Sequence, residues 1–122
     1  MEKIEKINLA SKLALFSEHW SPKVIAELNG QQVKLVKLAG EFVWHHHEEE
    51  DELFLVLEGK LRMEFRDRAV LLEPGELIVV PRGVEHRPCA EEEVSVLLFE
   101  PGSTLNTGNV VGERTVERLD RI

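Results

Sequence analysis

The sequence predicts an all-β barrel or sandwich with a short helix near its N-terminal end. Three observations carry this. Short apolar runs recur at near-even spacing from Lys23 to Glu100, and turn residues separate them. Within the runs, apolar and polar residues alternate with period two, as in Leu61, Met63 and Phe65 against Arg62, Glu64 and Arg66. No long helical patterns alternate with the strands, which argues against a parallel sheet.

At the head, Asn8 is placed to cap a helix running to about Phe16, with Leu9, Leu13 and Phe16 on one stripe. Ser21-Pro22 ends that segment. The expected strands are Val24–Leu28, Gln32–Leu38, Phe42–His47, Leu53–Glu58, Lys60–Arg66, Ala69–Leu72, Leu77–Val80, Glu85–Pro88 and Val94–Glu100. Asn29-Gly30 is a two-residue hairpin turn, the strongest such signal in the chain. Ala90–Glu93 reads as a turn. In the second strand, Val33, Leu35 and Leu38 are set against Gln32, Lys34 and Lys37 as the polar side. Thr115–Leu119 alternates weakly and is a candidate edge strand. A chain of 122 residues fits a single domain over 1–122, with the barrel at about 24–100, the helical segment at 8–16 and a tail at 101–122.

Composition narrows the function classes. The net charge is −8, with 23 acidic and 15 basic residues, which disfavours nucleic acids and anionic membranes as partners. No run of apolar residues is long enough to span a bilayer. The first six residues carry four charges, unlike a signal peptide. With a single cysteine, Cys89, no intrachain disulfide can form. A cytoplasmic protein is expected.

The informative stretch runs from Gly40 to Gly59 and contains His45-His46-His47 followed by the acidic run Glu48–Glu52. Residues two apart on a strand share a face, so His45 and His47 point together and His46 points away. A register slip of one residue would exchange those faces. After a short reversal at Glu48–Asp51, Glu52 opens the next strand and can return a carboxylate to the two imidazoles. Such a set suits a divalent first-row metal with coordination positions left open. The bland alternative is a pair of surface histidines in an acidic loop. Further along, Gly75-x5-Pro81-x-Gly83-x2-His86 places a fourth candidate ligand, His86, just after a stiff turn. His19, beside Trp20 in the head, is read as structural or exposed. Cys89 stands at an odd offset from His86 and should face away from the metal. Arg82 and Arg87 are read as partners of either an anionic substrate or neighbouring carboxylates.

Gly40-x4-His45-x-His47-x4-Glu52-x6-Gly59 resembles the first motif of the cupins, and Gly75-x5-Pro81-x-Gly83-x2-His86 resembles the second. Together they cover about residues 40–90. The first glycine stands four residues before the histidine, where the usual pattern has five. The asparagine often found four positions after the second-motif histidine is replaced by Ala90. The resemblance implies a double-stranded β-helix, or jelly-roll barrel, and a metal near its mouth held by His45, His47, Glu52 and His86. It also implies a homodimer. One divalent ion is expected, drawn from iron, manganese, nickel, cobalt or zinc. The activity expected is that of a metal-dependent dioxygenase or sugar isomerase on a small oxygen-rich molecule. A non-catalytic ligand-binding or sensory module is the alternative, and a structural β-domain carrying a metal is a third reading. Neither a serine–histidine–acid set nor a glycine-rich phosphate loop occurs.

Overall fold

A computed structural model describes residues 4–122. One helix, α1 (Leu9–Leu13), precedes eight strands: β1 (Lys23–Leu28), β2 (Gln31–Glu41), β3 (Glu52–Glu58), β4 (Leu61–Glu64), β5 (Ala69–Leu72), β6 (Leu77–Val80), β7 (Arg87–Pro101) and β8 (Asp120–Arg121). The all-β class, the jelly-roll barrel and the short N-terminal helix agree with the sequence reading. Asn8 does cap α1, its side-chain oxygen accepting the Ser11 N–H at 2.9 Å. The β1–β2 hairpin turns at Asn29-Gly30, where both residues take positive φ (51° and 77°), the geometry that asparagine and glycine tolerate best.

Two long strands close the barrel. The outer half of β7 lies between β2 and β3, pairing Leu98 with both Lys34 and Phe54. Its beginning pairs instead with β4, Arg62 opposite Cys89, and with the end of β2. Between the two halves the β2–β7 register shifts: Leu38 faces Val94, and Gly40 faces Ala90. Glu91, Glu92 and Glu93 stand against the single residue Ala39 at that bulge, two more than a regular ladder holds, and all three are exposed. Ala90–Glu93 is therefore a corner within one continuous strand and not the turn expected from its composition. A bulge bends a strand and increases its twist, which lets one strand pair with β3 along one half and with β4 along the other.

Two further expectations are corrected. Phe42–His47 does not form a strand; only His45 makes a bridge, to His86. The late edge strand is not Thr115–Leu119 but β8, which runs parallel to β1 with Lys23 opposite Asp120.

Val36, Leu38, Phe54, Val56, Leu61, Met63, Val94, Val96 and Leu98 form the barrel core. On β2 the inward residues are Lys34, Val36 and Leu38, so Lys34 lies on the barrel side and not with the exposed polar residues. It is 1 % exposed and bonds Glu100 through Nζ–Oε2 at 2.7 Å. The opposite face of the sheet is also apolar: Leu53 is paired with Val79 and Phe99, and Leu55 with Leu77 and Leu97. Phe99 thus sits on the outer face. Among the described residues, no helix is long and apolar enough to cross a membrane.

Candidate metal centre

The two motifs meet through their backbones. His45 N–H donates to the His86 carbonyl at 3.1 Å, and His86 N–H donates back to the His45 carbonyl at 2.9 Å. This reciprocal pair sets the two imidazoles side by side, with ring centroids 4.3 Å apart. The turn Pro81–Gly83 is tied to the same segment: Gly83 N–H donates to the His47 carbonyl at 2.7 Å, and Arg82 N–H to Asp51 Oδ1 at 2.8 Å. Glu52, the first residue of β3, pairs with Val80 at the end of β6 and points inward.

His45, His47, Glu52 and His86 are thereby brought together, all four buried, with one possible ligand atom from each within 4.8 Å of the others. Opposite ligands on a first-row ion with bonds of about 2.1 Å lie roughly 4 Å apart, so the cluster is of the right size. The tautomers suit the role. Nδ1 of His45 lies 2.9 Å from the Val43 carbonyl, and Nδ1 of His86 lies 2.9 Å from the Val84 carbonyl. A carbonyl only accepts, so each Nδ1 carries a proton, which leaves Nε2 as the atom facing the cluster; Nε2 of His86 lies 3.1 Å from Glu52 Oε1. His47 Nε2 stands 2.8 Å from Glu52 Oε1, yet neither ring nitrogen of His47 makes a directed hydrogen bond. An imidazole buried without hydrogen bonds is costly unless something else satisfies it. Three imidazoles and one carboxylate converging in this way fit a divalent ion.

Electrostatics agree. Burial, reinforced by His86, lowers the His45 pKa to about 4, so this ring is neutral at physiological pH. Burial opposes ionisation of Glu52, but contacts with His47 and His86 outweigh it and hold the carboxyl well below the usual range. Glu100 moves the other way: burial and the neighbouring Glu52 raise it well above the usual range despite Lys34.

The remaining candidates fall outside this cluster. His46 projects outward onto Glu48, with Nε2–Oε1 at 2.6 Å, as alternation predicts. His19 pairs with Glu93 at 2.7 Å. Arg82 pairs with Asp51 and Arg87 with Glu64, so both have ordinary carboxylate partners. Cys89 is buried beside Arg62 and Arg87 and lines an outer groove to which none of the histidines contributes. Trp44 lies under the guanidinium of Arg66, 4.0 Å from the ring centroid.

A cavity of about 40 Å³ adjoins the cluster and reaches its His45 and Glu52 side. Phe42, Phe54, Val36 and Leu98 supply apolar walls, and Lys34 and Glu100 supply a polar one. Sequence reading missed both of these charged residues. The tail closes over one side: Asn109 Oδ1 accepts the His46 N–H at 2.9 Å, Asn109 N–H donates to the His46 carbonyl at 3.0 Å, and Asn106 lines the cavity.

Comparison with known proteins agrees with this architecture. The cupin domain family model matches residues 32–100. A cupin-2 domain-containing protein from Shewanella frigidimarina is 54% identical, covering 78% of this chain and 93% of that one, with a TM-score of 0.77. Protein NMB1881 from Neisseria meningitidis is 38% identical over 80% of this chain and all of that one (100%), with a TM-score of 0.74. Protein YdbB of Bacillus subtilis (strain 168) is 42% identical over 64 residues, which span 52% of this chain and 57% of that protein. With both motifs in place on a jelly-roll barrel and the family model matched over more than half of its length, this chain belongs to the cupin domain family.

Proposed function

We propose that this chain is a metal-dependent cupin that binds a small oxygen-rich molecule at His45, His47, Glu52 and His86 and acts on it as an enzyme. One observation carries the reading: four buried ligand residues, three of them imidazoles, converge beside a cavity, and the His47 ring is left without a directed hydrogen bond. A bound ion would supply Lewis-acid or redox chemistry to an oxygen ligand at its open positions. The chain's own residues do the rest. The Val43 and Val84 carbonyls fix the His45 and His86 rings in orientation and tautomer. Phe42 and Phe54 form walls that keep water from the reacting group. The oxygen-rich substrate class, of the kind a dioxygenase or sugar isomerase takes, follows from the hard donors an open position accepts.

Elemental analysis of protein purified without added metal tests the centre; about one first-row ion per chain is expected. A chain that stays empty after reconstitution with iron, manganese, nickel, cobalt and zinc overturns it. Oxygen uptake by the iron(II)-loaded protein with diols and 1,3-dicarbonyls tests the dioxygenase form. No uptake, together with isomerisation of aldose or ketose sugars, assigns the isomerase form. No turnover in either assay, with ligand still bound, assigns a binding module.

We also propose a homodimer built on the outer apolar face. β6 pairs only with β3 among the described strands, and Leu77 and Val79 on it are about half exposed. An apolar edge strand of this kind gains from cover, and a second copy offers a self-complementary one.

A further inference from the structure

Lys34 and Glu100 stand out in the barrel. They are 1 % and 2 % exposed, lie on adjacent strands among apolar residues, and form an ion pair of 2.7 Å. A buried pair of this kind gives little stability over an apolar replacement, because desolvation offsets the attraction. Both line the cavity that reaches His45 and Glu52. Neither is fully satisfied: Nζ carries three donors and uses one on Glu100, while Glu100 Oε1 receives no hydrogen bond.

We propose that Lys34 and Glu100 form a hydroxyl-recognising subsite, so the molecule taken by this site carries a hydroxyl group beyond the oxygen that reaches the metal. The inference rests on the metal-centre reading above and narrows its substrate class. A hydroxyl accepts from the ammonium and donates to the carboxylate. A second carboxylate on the ligand would meet Glu52 and Glu100. An ammonium would meet Lys34 and the ion. The apolar walls, Phe42, Phe54, Val36 and Leu98, suit the hydrocarbon joining the two oxygen functions.

The test uses the full chain loaded with cobalt(II), whose visible spectrum reports ligands entering its coordination sphere. Four probes share a carboxylate for the ion and differ at the other end: butyrate, 4-hydroxybutyrate, succinate and 4-aminobutyrate. The expected order places 4-hydroxybutyrate at least about tenfold tighter than butyrate, since a site built to bond a hydroxyl discriminates strongly against its absence. Succinate and 4-aminobutyrate should bind no better than butyrate. In the double variant Lys34→Met/Glu100→Leu, the hydroxyl preference should fall to about one while the cobalt spectrum persists, which also separates subsite recognition from chelation at the ion. Equal binding of butyrate and 4-hydroxybutyrate, a preference for succinate or 4-aminobutyrate, or a hydroxyl preference unchanged in the double variant would overturn the proposal. If the double variant does not fold, the ranking of the four probes on the wild-type chain decides. Failure of cobalt(II) to bind overturns the metal centre and the subsite together; binding without hydroxyl discrimination overturns the subsite alone.

Discussion

Gly108 in the tail presses against the backbone carbonyl of His46: a Cβ built on Gly108 falls 2.1 Å from that oxygen and 3.1 Å from Cδ2 of His45. Its φ of +56° is also one that other L-residues adopt with strain. The neighbouring Asn109 exchanges two hydrogen bonds with His46, so the tail is clamped onto the segment that bears two of the four ligand candidates.

The first prediction follows from that clamp. Gly108→Ala cannot be absorbed by rotating a flexible side chain, because the obstacle is backbone. The tail should lift from His45–His46, costing about 1–3 kcal/mol of stability. Hydrogen exchange should quicken at the amide of Asn109, which donates to His46, and metal affinity should fall. Unchanged exchange there would show that the tail contributes nothing to the site.

His46 and His47 supply a second prediction. They are adjacent in sequence, but His47 is buried in the cluster and His46 is turned out onto Glu48. His47→Ala should lower metal affinity at least roughly a hundredfold, since loss even of an outer-shell partner costs about 10–100-fold. His46→Ala should leave metal content near the wild-type level. Metal content of the two purified variants, measured side by side, checks the assignment; equal loss in both would return the triple histidine to an open question of register.

That division was legible in the sequence because period-two alternation survives where a regular ladder does not. The segment 42–47 is not a strand, yet His45 and His47 are buried and His46 is less so, because the His45–His86 bridge fixes the facing at one point. Glu52 and His86 were legible for a similar reason: a short reversal or a stiff turn leaves the chain few places to go. Lys34 was not legible. Alternation places it inward, but its charge argues for solvent, and only the partner Glu100, distant in sequence, reverses that argument. The bulge at Glu91–Glu93 was illegible because three exposed glutamates look the same in a turn and at a strand corner.

The outer face supplies a third prediction. Val79 is about half exposed on β6, opposite Leu53, within the apolar patch that includes Leu55, Leu77 and Phe99. The wild-type chain should run in light scattering at roughly twice its 13.9 kDa mass. Val79→Arg puts a charge in the middle of that patch and should give a monomer, with metal content retained because the substitution faces away from the barrel interior. A wild-type monomer at high concentration would leave this face as surface.

The last prediction concerns pH in the metal-free chain. His45 has a pKa of about 4 when folded, against an ordinary 6.5, because burial disfavours the imidazolium and His86 adds to the effect. Between those values the unfolded chain takes up a proton at this residue and the folded chain does not. Stability from His45 is therefore fully present above about pH 6.5 and is lost as pH falls toward 4, by at most about 3 kcal/mol. Glu100, raised by burial and by Glu52, tilts stability in the opposite sense, so the total slope mixes the two. The diagnostic is the difference between wild type and His45→Gln, both unfolded by urea in the presence of a chelator at pH 7.5 and pH 5. Stability should drop further on acidification in the wild type than in His45→Gln. Parallel losses in the two chains would mean that the His45 ring is free to take a proton while folded, and that its burial beside His86 is not maintained in solution without the ion.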